Sequence, residues 1–142
     1  MRCFLDANIL VSVLLKEYPL FTYTARILSL SSMKYKMYTS TTSLAIAFYF
    51  AEKKFGTTEA KKRLGIFLEH IHVSPCGEEE AQSSIKNKKV LDFEDGLQYY
   101  SALSEKCDVI ITNDVKDYHF SSIEVMKPQD FWLKYVVNST RM

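Results

Sequence analysis

The 142-residue sequence is short of chain breakers, with 4 Gly and 3 Pro, and it carries no repeat, low-complexity tract or Gly/Ser linker. Nothing offers a place to divide it, so residues 1–142 are expected to form a single domain. Paired cysteines are also missing. Cys3, Cys76 and Cys107 form no CxxC or Cys/His cluster, and His70, His72 and His119 are scattered, which argues against a zinc site or a disulfide framework. The cysteines read as small buried hydrophobes. Net charge is nearly absent: 18 Lys+Arg against 17 Asp+Glu leave +1. That balance excludes a strongly basic nucleic-acid coat protein and a polyanionic tail, though not a local basic groove. The longest apolar stretch, Leu44 to Ala51, falls far short of the ~20 residues that span a bilayer. Asp6 and Asn8 interrupt the first apolar run, so no signal peptide is expected there. These absences together predict a soluble, cytoplasmic protein without a membrane partner.

What is present is ordinary globular composition, 47% hydrophobic and 25% charged. A domain of this length buries about 68% of its unfolded surface, enough to fold without disulfides or a structural metal. Short apolar runs alternate with helical periodicity. Strands are expected at Arg2 to Asp6, Lys36 to Ser40, Ile71 to Val73, Val109 to Thr112 and Ile123 to Met126. Helices are expected at Asn8 to Leu15, near Phe21 to Leu30, and from the Thr41-Thr-Ser43 hydroxyls, which suit N-capping, to about Phe55. Further helices follow: one capped by Thr57 or Thr58, one opened by Glu78-Glu-Glu80 and closed by Lys86, Lys88 and Lys89, and one over Asp92 to Glu105. On the last, Phe93, Leu97, Tyr100 and Leu103 or Ser104 mark one face. Strands separated by helices predict an α/β class: three layers, α/β/α, around a central, mainly parallel sheet of about four to five strands.

Ligands of open parallel sheets bind beyond the carboxyl ends of the strands. Asp6 ends the first strand and Asp114 follows Thr112 at the end of the fourth. Asp92-Phe-Glu-Asp95 sits at a helix N-terminus, where free amides and the dipole hold negative charge. If these acids converge, they form a hard oxygen site suited to Mg²⁺ or Mn²⁺. Two carboxylates about 5 Å apart repel by about 3 kcal/mol at an effective dielectric near 20. Three would raise one another's pKa until a divalent cation neutralised them. Phosphodiester hydrolysis is the chemistry such a site serves.

Three segments carry a family resemblance. Phe4-Leu-Asp-Ala-Asn-Ile-Leu10 resembles the opening strand and Asp-x-Asn signature of PIN domains. Leu91-Asp-Phe-Glu-Asp-Gly-Leu-Gln-Tyr-Tyr-Ser-Ala102 resembles their later acidic helix, and Val109-Ile-Ile-Thr-Asn-Asp-Val-Lys-Asp-Tyr118 their strand and Thr-x-Asp turn. Order, spacing and length match over nearly the whole chain. The resemblance implies a PIN-like fold and a metal-dependent ribonuclease, with RNA as substrate, Mg²⁺ or Mn²⁺ as cofactor and, as in small VapC-like members, an antitoxin partner. It assigns metal-binding, catalytic roles to Asp6, Asp95 and Asp114. Asp117 becomes a candidate second-metal ligand. Asn8 would fix the loop around Asp6, and Thr112 would bond to Asp6 or a metal-bound water.

One departure stands out. Family members usually carry an acid early in the helix after the second strand, where this chain has Ile46. No acid follows until Glu52, which is six residues on and therefore faces elsewhere. Loss of one carboxylate implies weakened metal binding, especially at a second site. It leaves open a PIN-like module that binds RNA or protein and cleaves slowly or not at all.

Plainer readings stand beside these. Asp6 and Asn8 also suit a strand-end turn and helix cap, and Asp92 suits an N-cap. Glu94 is expected to face solvent. His119 lacks an orienting partner for general-base work. Leu44 to Ala51 is apolar all round, which fits either full burial or a face for a homodimer or antitoxin. Tyr99 and Tyr118 are core residues or base-stacking platforms. The clusters Lys53-Lys54, Lys61-Lys62-Arg63 and Lys86-Asn-Lys-Lys89 fit solvated helix faces or phosphate contacts.

Overall fold

The computed structural model describes residues 1–16, 26–27, 29–30 and 34–138. The helix expected near Phe21 to Leu30 lies largely outside them. Five strands are present: β1 (Arg2–Leu5), β2 (Lys36–Ser40), β3 (His72–Ser74), β4 (Val109–Ile111) and β5 (Glu124–Met126). They form one sheet in the order β3-β2-β1-β4-β5, with every neighbouring pair parallel. The helices are α1 (Ala7–Leu14), α2 (Thr41–Phe55), α3 (Thr57–Leu68), α4 (Glu78–Lys86), α5 (Phe93–Ser104) and α6 (Pro128–Phe131). A 3-10 turn spans Val115–Tyr118, and a π-helical stretch, Trp132–Val137, follows α6. The α/β/α architecture is as expected. No helix among the described residues is long and apolar enough to cross a membrane.

Alternation along the strands sends side chains to two separate cores. Cys3, Leu5, Met37, Val109 and Ile111 pack on one side with Ile9 and Leu10 of α1, Ala47 and Ala51 of α2, and Phe131 of α6. Phe4, Tyr38 and Ile110 pack on the other with Tyr99 and Ala102 of α5 and with Tyr118. Full burial of each large apolar side chain contributes about 1.5–3 kcal/mol. Because both sheet faces are covered, β1 and β4 read as continuous apolar runs, Cys-Phe-Leu and Val-Ile-Ile.

Local details depart from expectation. Ser40, not the Thr41–Ser43 hydroxyls, caps α2: its Oγ accepts from the Ser43 amide at 3.0 Å. Gly56, with φ of 82°, both ends α2 and opens α3, so neither Thr57 nor Thr58 caps α3. The left-handed backbone there favours glycine and lets one helix turn directly into the next. On α5 the buried face is Gly96, Gln98, Tyr99, Ser101 and Ala102 rather than the Phe93–Leu97–Tyr100 row. Small side chains let this helix approach its neighbours closely. A Cβ on Gly96 would lie 2.7 Å from Val90 Cγ1 and 2.8 Å from Ser84 Oγ.

The connections run from β1 outward to β2 and β3, then return to place β4 on the other side of β1. The reversal opens a crevice between the carboxyl ends of β1 and β4. Register pairs Leu5 with Ile111, so Asp6 and Thr112 emerge side by side at its floor.

Candidate active site

A cleft of about 430 Å³ occupies this switch point. Its lining holds six carboxylates, Asp6, Asp92, Glu94, Asp95, Asp114 and Asp117, and no Lys, Arg or His among the described residues. All four acids expected to ligate metal therefore border one space, together with Asn8 and Asp92.

Asp6 is 4% exposed and works at the β1–α1 junction. Its Oδ1 accepts from the Ala7 amide at 2.6 Å and caps α1. Its Oδ2 accepts from Thr112 Oγ1 at 2.7 Å and Asn8 Nδ2 at 3.2 Å. The plain cap reading applies to Asp6, which also borders the cleft. Asn8 joins three groups, since Nδ2 also donates to Thr112 Oγ1 and Asp114 Oδ2, each at 3.1 Å. Its Oδ1 accepts from the Asn113 amide at 3.2 Å. Thr112 is fully buried, donates to Asp6, and its Oγ1 accepts from the Asp114 amide at 3.0 Å. Asp114 and Asp117 are exposed, at either end of the turn beyond β4.

Asp95 lies half-buried in the first turn of α5. Asp92 caps that helix, accepting from the Glu94 amide at 2.9 Å. Glu94 is exposed but also borders the cleft, so it does not simply face bulk solvent as expected. Burial, and then the charges of Asp92, Asp6, Asp117 and Glu94, push the Asp95 carboxyl up to about 7. Burial pushes Asp6 up to about 6, against hydrogen bonds that hold it down. Both acids thus resist ionisation chiefly because burial penalises the charged form.

The donor set is all oxygen and strongly anionic, which fits a hard divalent cation and not zinc or copper. As the side chains stand, no three His, Cys, Asp or Glu groups among the described residues close into a ligand cluster. The fit is one of chemistry and charge. Ile46 is half-buried and lines the cleft with Phe50, so the position read as lacking an acid does face the site. Glu52 points elsewhere and accepts from Thr57 Oγ1 at 2.9 Å. His119 is exposed and is not part of the cleft lining.

One structural position was missed by sequence reasoning. Gln98, 1% exposed, accepts at Oε1 from the Ala7 amide at 2.9 Å and Ser43 Oγ at 2.7 Å. It ties α1, α2 and α5 together beneath the acids. The available signal was a polar residue among small ones, Gly96, Ser101 and Ala102, on an otherwise mixed helix. The buried Tyr118 phenol lies against Asp6 without a well-formed hydrogen bond, and burial and the nearby carboxylates push it up.

Tyr99 and Tyr118 are 5% and 2% exposed, so neither is a base-stacking platform. Leu44 to Ala51 is only partly buried: Ala47 and Ala51 are enclosed, while Tyr49 and Phe50 stand open. The basic clusters lie outside the acidic cleft. Arg63 is committed locally, bonding Glu59 at 3.0 Å and the Leu14 carbonyl at 2.9 Å.

A family model described as PIN domain matches residues 2–116. Ribonuclease VapC1 of Aquifex aeolicus (strain VF5) is 26% identical over 138 residues, covering 92% of each chain. The solved structure of VapBC-1 from nontypeable Haemophilus influenzae superposes with a TM-score of 0.71 at 19% identity, covering 91% of this chain and 99% of that one. A toxin–antitoxin complex from Klebsiella pneumoniae does so at 0.66 and 16%, covering 89% and 97%.

Proposed function

The chain belongs to the PIN domain family, and from that premise we propose that it is a Mg²⁺- or Mn²⁺-dependent endoribonuclease, the toxin of a toxin–antitoxin pair. One observation carries the reading: six carboxylates and, among the described residues, no cation border a cleft at the switch point of a parallel sheet. The VapC1 ribonuclease similarity supports the reaction class, and the toxin–antitoxin complexes of like fold support the partner.

Asp6, Asp95 and Asp114 are the residues proposed to hold the metal, with Asp117 at the outer edge. A divalent cation there would neutralise the carboxylates, orient the scissile phosphate and activate a water for in-line attack. The chain's own contribution is placement. Thr112 and Asn8 fix the Asp6 carboxylate through both hydrogen-bonding partners of Oδ2. Asn8 also holds Asp114 toward Asp6. Asp92, by capping α5, fixes the helix end that presents Asp95.

The test is cleavage of a mixed-sequence fluorophore–quencher RNA in Mn²⁺, Mg²⁺ or EDTA, with wild type beside identically purified Asp6→Asn and Asp95→Asn. Metal-dependent cleavage lost in both variants is expected. Equal cleavage by all three proteins would expose a contaminant. No cleavage and no metal-induced rise in Tm would refute the proposal and leave a binding module.

A further inference from the structure

The cleft has two unlike walls. The acids come from β1, α5 and the turn after β4, whereas α2 contributes only Ile46 and Phe50 to its lining. These two stand four residues apart, so they lie one turn from each other on the same helix face. Lys53, at i+7 from Ile46, continues that face outward. Phe50 is 44% exposed, so its ring is open to a ligand in the cleft. Its ring meets Tyr49 edge-on, with centroids 5.3 Å apart, and Lys53 Nζ sits 4.9 Å from the Tyr49 ring. The strip therefore runs from apolar to aromatic to cationic as it leaves the acids.

A nucleotide has the same sequence of chemistries. Its phosphate needs cation-mediated contact with the carboxylates, its base has an apolar face, and the next phosphate needs positive charge. An aromatic ring accepts any base by stacking, whatever its sequence.

We propose that Phe50, flanked by Ile46, is the base-stacking platform of the cleft, receiving the nucleobase beside the scissile phosphate of single-stranded RNA while Lys53 meets the following phosphate. The inference rests on the ribonuclease reading and assigns Phe50 a substrate-positioning role. Its side chain is exposed, so replacing it leaves the fold intact.

The experiment compares wild type with Phe50→Ala, Phe50→Leu and Phe50→Trp on a short single-stranded RNA. KM and kcat are measured in Mn²⁺, and oligonucleotide affinity is measured separately by fluorescence anisotropy in Ca²⁺, which supplies the divalent charge the phosphate needs. Phe50→Ala should weaken RNA affinity and raise KM by about 5- to 150-fold, the range of one stacked base. Phe50→Trp should restore binding, and Phe50→Leu, apolar but without a ring, should not. An abasic nucleotide scanned across the cleavage site should weaken wild type at one position and leave Phe50→Ala indifferent there. Unchanged affinity and KM in Phe50→Ala, with wild type cleaving, overturns the platform alone. Rescue by Phe50→Leu equal to that by Phe50→Trp overturns stacking as its cause. A wild type that neither binds nor cleaves RNA overturns the ribonuclease reading and the platform with it.

Discussion

Replacing Asp95 by Asn should stabilise the metal-free protein, against the usual outcome of altering a site residue. Asp95 has an ordinary value of 3.8 and stands at about 7 in the folded chain. At about 1.36 kcal/mol per pH unit, such a rise corresponds to about 4 kcal/mol at full strength. Asp95 is half-exposed, and solvent screening reduces this to about 1–2 kcal/mol. Its place in the first turn of α5 returns about 0.3–1 kcal/mol through the helix dipole, which Asn forgoes. The repulsion still wins, by about 1 kcal/mol, or about 3–5 °C in Tm for a chain of this length. The pH dependence fixes the sign. Below 3.8 the acid is protonated whether folded or unfolded and there is no penalty. Between 3.8 and about 7 the unfolded chain ionises while the folded one resists, so wild type loses stability as pH rises through that window. Thermal unfolding of wild type and Asp95→Asn in EDTA should therefore diverge at pH 8 and nearly coincide at pH 4. Excess Mn²⁺ at pH 8 should reverse the order, since a ligand at 100 times its Kd adds about 2.7 kcal/mol to the protein that binds it. A less stable variant at pH 8 in EDTA, or an equal gain at both pH values, would refute the account of the cleft as an uncompensated anionic cluster.

Gln98→Leu should cost about 2–4 kcal/mol in urea unfolding, because the buried Ser43 hydroxyl loses its Gln98 acceptor and the Ala7 amide keeps only Asp6. Gly96→Ala should cost about 1–3 kcal/mol by forcing α5 away from Val90 and Ser84, and cleavage should fall with it as Asp95 shifts; a neutral melt would show that the contact relaxes freely. Ile46→Glu should tighten Mn²⁺ binding by about tenfold or more in calorimetry, since the position faces the acids. Lost stability without tighter binding would instead make Ile46 a packing residue.

The sheet and the acid positions were legible because their signals are local. Cys-Phe-Leu and Val-Ile-Ile are apolar runs that only a doubly covered strand accommodates, and each is followed at once by a polar residue of the site. The rotation of α5 was not legible. Its buried face includes Gly96, Ser101 and Ala102, and the smallness of Gly96 matters only against Ser84 and Val90 of another segment. Gln98 was missed for the same reason: a buried amide is read from its partners, which lie 91 and 55 residues away. Residue type alone leaves Tyr99 and Tyr118 open as core or as platforms, and the exposed ring at Phe50 lies in a run that fits burial or a protein face equally.

The central place of β1 bears on how the protein is made. Thr112, which holds Asp6, leaves the ribosome 106 residues after it. Until β4 arrives, β1 is a bare sheet edge with an apolar face on each side. Pairing across such a separation is slow, and the exposed edge favours association with other chains. A product cut short before Val109 is therefore an aggregation-prone fragment with an unsupported acid, not a weakened enzyme. Arrival of β4, rather than synthesis of the acids, is what assembles the cleft.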